Sequence, residues 1–272
     1  MKTEIIVVTD NRPNEALEGE WGLCLLIRFN GKKILVDAGA SELFLKNMEG
    51  LGEDVKDVDL AVLSHAHYDH ANGFPAFFAH NDKARLYISA AADANCYKKG
   101  FLFHKYIGIP RTLIRDHGDR IERIPEVRRI MEGAYIVPHH TEGLAEIGRR
   151  EKMYRRTQRG WITDDFAHEQ SLVLETDRGL LIINSCSHGG ADNIIREVRE
   201  AFPDNKIYGY IGGLHLYNKT PEEVLRVAGI FKDAELEYVC TGHCTKEAAF
   251  AILKEQLGDK LEQLQVGLRI EI

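Results

Sequence analysis

Ser64-His65-Ala66-His67-Tyr68-Asp69-His70 is the stretch whose reading decides the fold of this chain. It places four potential metal ligands, three imidazoles and a carboxylate, within six residues. The apolar run Leu60-Ala61-Val62-Leu63 precedes it and reads as a buried strand, so a rigid element delivers the ligands. If the chain stays extended past Ser64, then His65, His67 and Asp69 project to one side, because alternate residues of extended chain share a face. His70 then stands where the chain turns away through Ala71-Asn72-Gly73. Burying four polar groups together without partners costs about 1–3 kcal/mol each, which argues for a bound cation over chance packing. Imidazole and carboxylate suit zinc, iron or manganese, and one strand end cannot saturate even one such ion. Further ligands must come from elsewhere in the chain.

Composition bounds the alternatives. With 272 residues, 44% of them hydrophobic, the chain can bury a large core, and no composition break divides it, so one domain over 1–272 is expected. A formal charge of −7 offers no basic face for nucleic acid. The apolar run Ile5-Ile6-Val7-Val8 is too short for a membrane span or signal peptide and reads as a first strand. Cys24, Cys96, Cys186, Cys240 and Cys244 are odd in number and lack CxxC spacing, so a reduced, cytoplasmic setting is expected. The partner implied is a small molecule, without nucleic acid or membrane; the oligomeric state is left open.

Strands are expected near 4–8, 23–29 and 33–37, with Asn30-Gly31 as a hairpin turn between the last two. Ser41 can cap a short helix to about residue 48. Between about 91 and 165 the periodicity weakens and the charge rises, which reads as an inserted lid. Its run Arg149, Arg150, Lys152, Arg155, Arg156, Arg159 reads as a solvated face, with contact to an anionic substrate as the alternative. Beyond 165, a hairpin turns at Asp177-Arg178-Gly179, and three β-and-α units follow; Thr220, Pro221 and Glu223 announce one helix start as a capping box. The later strands end in polar clusters: NSCSHGG at 184–190, GGLHL at 212–216 and TGHCT at 241–245. Sites in α/β sheets sit at such strand ends.

His65-x-His67-x-Asp69-His70, after its apolar strand, resembles the HxHxDH signature of the metallo-β-lactamase superfamily, and Lys33-Ile34-Leu35-Val36-Asp37-Ala38-Gly39 resembles that superfamily's strand ending in Asp-x-Gly. The resemblance implies an α/β fold, a four-layer αβ/βα sandwich, and a site for two divalent ions, zinc first, with iron or manganese as alternatives. Carried over residue by residue, His65, His67 and His188 would hold one ion, and Asp69, His70 and His243 the other. Asp37 would orient ligands from behind without binding metal. The superfamily's bridging carboxylate has no counterpart at the end of strand 180–183, where Ser185 and Cys186 stand. Cys186 is then either a soft ligand or a buried structural thiol, and His168 is an alternative to His188 in the first site. His215, needed by neither site, is either a hydrogen-bonded loop residue or a substrate contact.

The three late clusters, with Thr9-Asp10-Asn11, are similar to the branch of 7,8-dihydropterin-6-methyl-4-(β-D-ribofuranosyl)aminobenzene 5′-phosphate synthases of methanopterin biosynthesis. Two paired ions can activate a water and polarise the bond it attacks. The reading is therefore a metal-dependent hydrolase of a small phosphorylated or ester-like metabolite, with Asp69 as its catalytic carboxylate. The alternatives are the synthase, a pterin transferase, and a non-catalytic metal-dependent binding protein.

Overall fold

Alternation along the first strand sets the layering. In Glu4–Thr9, Ile5 and Val7 pack on one face and Ile6 and Val8 on the other, as a period of two requires. In the computed structural model, which describes residues 3–272, this strand belongs to a seven-stranded sheet. The order is Arg269–Glu271, Glu4–Thr9, Cys24–Phe29, Lys32–Val36, Leu60–Val62, Arg85–Ser89, Ile121–Ile124. A second seven-stranded sheet runs Leu261–Gln263, Tyr238–Thr241, Ile207–Ile211, Gly179–Ile183, Gln170–Thr176, Ala134–Pro138, Arg128–Met131. Ile5, Val7, Leu25 and Val36 of the first sheet meet Leu172, Leu174, Leu181 and Ile183 of the second in a continuous apolar layer. Helices Leu43–Gly50 and Phe74–His80 cover the outer face of the first sheet; Ala191–Ala201, Pro221–Asp233 and Lys246–Leu257 cover the second. The result is the four-layer αβ/βα sandwich.

Local signals with a self-contained mechanism are realised. Asn30 and Gly31 both take positive φ, 47° and 74°, and close a two-residue hairpin between strands paired Phe29 to Lys32. Thr220 Oγ1 accepts from the Glu223 amide at 3.3 Å and Glu223 Oε2 accepts from the Thr220 amide at 2.9 Å, a cap worth about 1 kcal/mol. The first helix starts one residue later than expected, at Leu43, with Glu42 rather than Ser41 at its N-cap. Ser41 still serves it, since Ser41 Oγ accepts from the Leu43 amide at 3.1 Å.

The stretch expected as one lid, 91–165, is divided. Ile121–Ile124 extends the first sheet, and Arg128–Met131 with Ala134–Pro138 extends the second. What remains outside the sandwich is a four-stranded sheet of Gly160–Thr163, Met153–Thr157, Tyr97–Lys99 and His104–Tyr106. The short core strands at 121–138 lie between charged flanks, which is why they are lost in the charge of the region.

Parallel pairing brings strand ends together. Lys32–Val36 and Leu60–Val62 pair in parallel in one sheet, as do Gly179–Ile183, Ile207–Ile211 and Tyr238–Thr241 in the other. Asp37, the segment 64–70 and the clusters at 184–190, 212–215 and 242–244 therefore emerge along one edge of the sandwich. Behind the histidine segment the backbone is pinned: the Ala38 amide donates to the His70 carbonyl at 2.8 Å, and a Cβ at Gly73 would lie 2.1 Å from the Ala38 carbonyl oxygen. Gly73→Ala is expected to lower stability by about 1–3 kcal/mol through overpacking against backbone. Thermal unfolding checks this, and a variant melting with the wild type would overturn the contact's importance.

Candidate metal centre

The centre is organised from behind by Asp37, which is fully buried at the end of its strand. Its Oδ1 accepts from the Ser64 amide at 2.7 Å and its Oδ2 from Ser64 Oγ at 2.7 Å. Oδ2 also pairs with Nδ1 of His70 at 2.7 Å. Because the Ser64 hydroxyl donates to Asp37, its oxygen is left to accept from Nδ1 of His65 at 2.9 Å. On the far side, Nδ1 of His243 donates to Asn11 Oδ1 at 3.0 Å, while Asn11 Nδ2 donates to the His243 carbonyl at 2.8 Å. Each of these three rings thus spends its Nδ1 proton on a fixed acceptor and keeps the Nε2 lone pair free. That is the tautomer a metal ligand needs.

The free nitrogens are buried and lack partners. Nε2 of His65, His67, His188 and His243 find no hydrogen bond, and neither does Nδ1 of His188. Burial pushes the pKa of His65, His67 and His188 well below the usual imidazole value and that of His243 down to about 3. These rings are neutral at pH 7, with lone pairs available. Burial also depresses His70, but the Asp37 and Asp69 carboxylates outweigh it and the net shift is upward. Each orphaned acceptor would cost about 1–3 kcal/mol in a cation-free interior, so the donor set fits divalent ions.

The structure brings the expected ligands into two neighbouring groups. His65, His67 and His188 offer nitrogens within 4.8 Å of one another. Asp69 Oδ2 lies 3.9 Å from Nε2 of His70 and 3.7 Å from Nε2 of His243. Cys186 stands between them. Its Sγ is 3.2 Å from Nε2 of His70 and 3.5 Å from Cys244 Sγ, and it groups with His65 and His70, with His243 and Cys244, and with His188 and His215. Asp69 reaches its place by a route other than the expected extended chain. After His67, at φ −103° and ψ 152°, the backbone winds into the short helix Tyr68–Ala71, so Asp69 and His70 present side chains from one turn.

His168 does not join the first group. Its Nδ1 accepts from the Ala66 amide at 3.2 Å and its Nε2 pairs with Asp164 Oδ2 at 3.2 Å, which sets it behind His67. His188 takes the place through a loop held by Glu169, whose carboxylate accepts the His188 and Gly189 amides at 2.9 Å each. Nε2 of His139 lies 2.5 Å from Glu169 and its Nδ1 2.6 Å from Glu197. At Gly189 an added Cβ would sit 2.2 Å from Nε2 of His139, so the glycine lets the loop close on that ring. Asn11, Glu169 and Cys244 escape a reading for ligands because none carries the motif's spacing; the strand-end position of Cys244 was the available signal.

Above the ligands lies a cavity of about 520 Å³ whose wall includes Trp21, Tyr68, Phe103, Lys98, Lys105 and Tyr217. His215 also lines it, 3.4 Å from Glu151 through Nε2 and tilted at 49° against His188 with ring centroids 4.2 Å apart. The arginine run does not reach the cavity wall: Arg149 pairs with Glu146, Arg150 with Glu223 and Arg155 with Asp93. The cations at the mouth are lysines of the hairpin 97–106, a part of the charged region without a distinguishing pattern.

The loop carrying His188 gives a pH test. Burial lowers the His139 pKa, but Glu169 and Glu197 outweigh it and raise the group to about 9. The folded value lies above the unfolded one near 6.5, so the ion-pair contribution is complete below pH ~6.5 and lost as pH rises through about 9. His139→Gln should therefore melt below wild type at pH 6, with the gap narrowing by pH 10. A pH-independent gap would show that the pairing carries no charge.

Comparison with known proteins agrees with this geometry. The family model of the metallo-beta-lactamase superfamily matches residues 22–148. A 7,8-dihydropterin-6-methyl-4-(beta-D-ribofuranosyl)-aminobenzene-5′-phosphate synthase of Methanocaldococcus jannaschii is 28% identical over 93% of this chain and 90% of its own length. The crystal structure of a metal-dependent hydrolase of the beta-lactamase superfamily superposes with a TM-score of 0.84 at 27% identity, covering 99% of each chain. The metallo-beta-lactamase fold protein YhfI of Bacillus subtilis shares the fold at a TM-score of 0.62 and 12% identity over 100% of both chains. The αβ/βα sandwich is that of the metallo-β-lactamase fold, and with the HxHxDH segment at its strand end and these relatives in agreement, the chain is similar to the metallo-β-lactamase superfamily in both sequence and structure.

Proposed function

We propose that this protein is a binuclear metal-dependent hydrolase of a small phosphorylated or ester-like metabolite, working in the cytoplasm on a free small molecule. The observation that carries the reading is the set of buried, partnerless imidazole nitrogens at the floor of a lysine-rimmed cavity. His65, His67 and His188 would hold one ion, and Asp69, His70 and His243 the other, with Cys186 between them. Bound there, two divalent ions, zinc first among candidates, supply an activated water and polarise the bond it attacks.

The chain's own residues do the rest. Asp69 sits at the cavity floor, 8% exposed, where its carboxylate can orient the attacking water and take its proton. Lys98 and Lys105 place positive charge at the mouth for a phosphate, and Trp21 and Tyr68 offer ring faces to an unsaturated or cyclic body. His215, which lines the cavity, would contact the substrate. No helix among the described residues is long and apolar enough to cross a membrane.

The synthase is the second reading, favoured by the 28% identity with the Methanocaldococcus enzyme over most of both chains. The same site would then bind a diphosphate leaving group, and a carbon nucleophile would replace water. Supplying a pterin diphosphate and an aminobenzene ribofuranosyl phosphate singly and together separates the two, since only a synthase consumes both in equal amounts. In either case Asp69→Ala should lower turnover by about a hundredfold or more with the circular dichroism unchanged. Near wild-type turnover would remove Asp69 from the chemistry.

A further inference from the structure

Two of the cysteines meet at the floor of the cavity. Cys186 and Cys244 are 58 residues apart in the chain, yet their sulfurs lie 3.5 Å from each other, in van der Waals contact. Each follows the end of a strand of the second sheet, Cys186 after Gly179–Ile183 and Cys244 after Tyr238–Thr241. Strand Ile207–Ile211 lies between those two, so the chain leaving it must pass beside both thiols. It does so as Gly212-Gly213. A Cβ at Gly213 would stand 2.5 Å from Cys244 Sγ and 2.7 Å from the Ser185 carbonyl oxygen. The missing side chain is what lets the Cys244 thiol reach across to Cys186.

The surroundings hold the pair in place and open it to small molecules. Cys244 Sγ accepts from the His215 amide at 3.2 Å, and Cys186 Sγ rests 3.2 Å from Nε2 of His70. Both residues line the cavity of about 520 Å³ above the ligands. Cys24, Cys96 and Cys240 are buried as well, but they do not line it. A disulfide bond is about 2.05 Å long, so the two sulfurs need to close by only about 1.5 Å.

We infer that Cys186 and Cys244 form an oxidation site, a dithiol that hydrogen peroxide closes to a disulfide in the metal-free centre. One thiol attacks a peroxide oxygen, the O–O bond breaks, and the sulfur becomes a sulfenic acid as water leaves. The second thiol attacks that sulfur; the S–S bond forms, the S–O bond breaks, and the departing oxygen takes the thiol proton as a second water. The two sulfurs give up two electrons and the peroxide receives them. The consequence for the metal centre rests on the binuclear reading. There Cys186 stands between the two ligand groups, where its thiolate is a soft ligand and a disulfide sulfur carries no charge to offer a cation. Metal and disulfide therefore exclude each other. The contact between the two thiols does not depend on that reading.

The test treats the full-length wild-type protein with hydrogen peroxide, once stripped of metal with a chelator and once reloaded with zinc. Free thiols are then counted after denaturation, and linked peptides are mapped by mass spectrometry. The stripped protein should lose two of its five thiols, yield a peptide pair joined through Cys186 and Cys244, and regain both thiols with dithiothreitol. The zinc-loaded protein should keep all five at the same dose. Oxidised protein should take up less zinc than reduced protein, and reduction should restore the uptake. If the stripped protein keeps all five thiols, or loses them without a Cys186–Cys244 peptide, the site is overturned and the metal reading is untouched. A disulfide that forms equally fast with zinc bound would support the thiol pair and remove Cys186 from between the ions.

Discussion

A single buried carboxylate, Asp37, is the constraint on which the rest of the centre depends. An isolated charge at that depth would be strongly disfavoured, yet three donors converge on it from the Ser64 amide, the Ser64 hydroxyl and His70 Nδ1. The same contacts that keep the charge tolerable also decide how the histidine segment leaves its strand. They assign the proton of His70 directly and that of His65 through the Ser64 hydroxyl. The metal-facing nitrogens are thus a consequence of how one acid is satisfied in the core.

Around that hub the sandwich supplies convergence. The two sheets deliver their parallel strand ends to one edge, so His65, His188 and His243, far apart in the chain, become neighbours without any of them lying on a long loop. The connections are buttressed by polar groups rather than by apolar packing. Glu169 holds the His188 loop through two backbone amides, and Asn11 from the first strand end grips His243 from both sides. Such groups are costly to bury unless fully partnered, and here each partner is also a positioning device for a ligand.

The accessory sheet sets the site's outer character. It brings Lys98, Lys105 and Phe103 over the ligands, while the arginines of the same region face away into ion pairs with Glu146, Glu223 and Asp93. Charge at the mouth, aromatic side chains beside it and the enclosed ligand floor below are the features on which the proposed function draws.

How much of this was legible in the sequence follows the range of the interaction involved. The hairpin at Asn30-Gly31, the Thr220 capping box and the histidine segment after its apolar strand are each decided within a few residues, and they are readable because turn, cap and strand-end geometry depend on local backbone. Asp37 was readable for the same reason, through its strand ending. The helical turn at Tyr68–Ala71, the division of 91–165 between two sheets and an outer one, the retreat of His168 to Asp164 and the use of Gly189 by His139 were not, since each depends on groups distant in the chain. The chain by itself determined the ligand types, the strand that carries them and the family resemblance, because these follow from short-range pattern. Only the tertiary structure decided which histidines meet, where Cys186 stands and which cations line the cavity, because strand pairing and burial bring together residues whose separation along the chain holds no record of their contact.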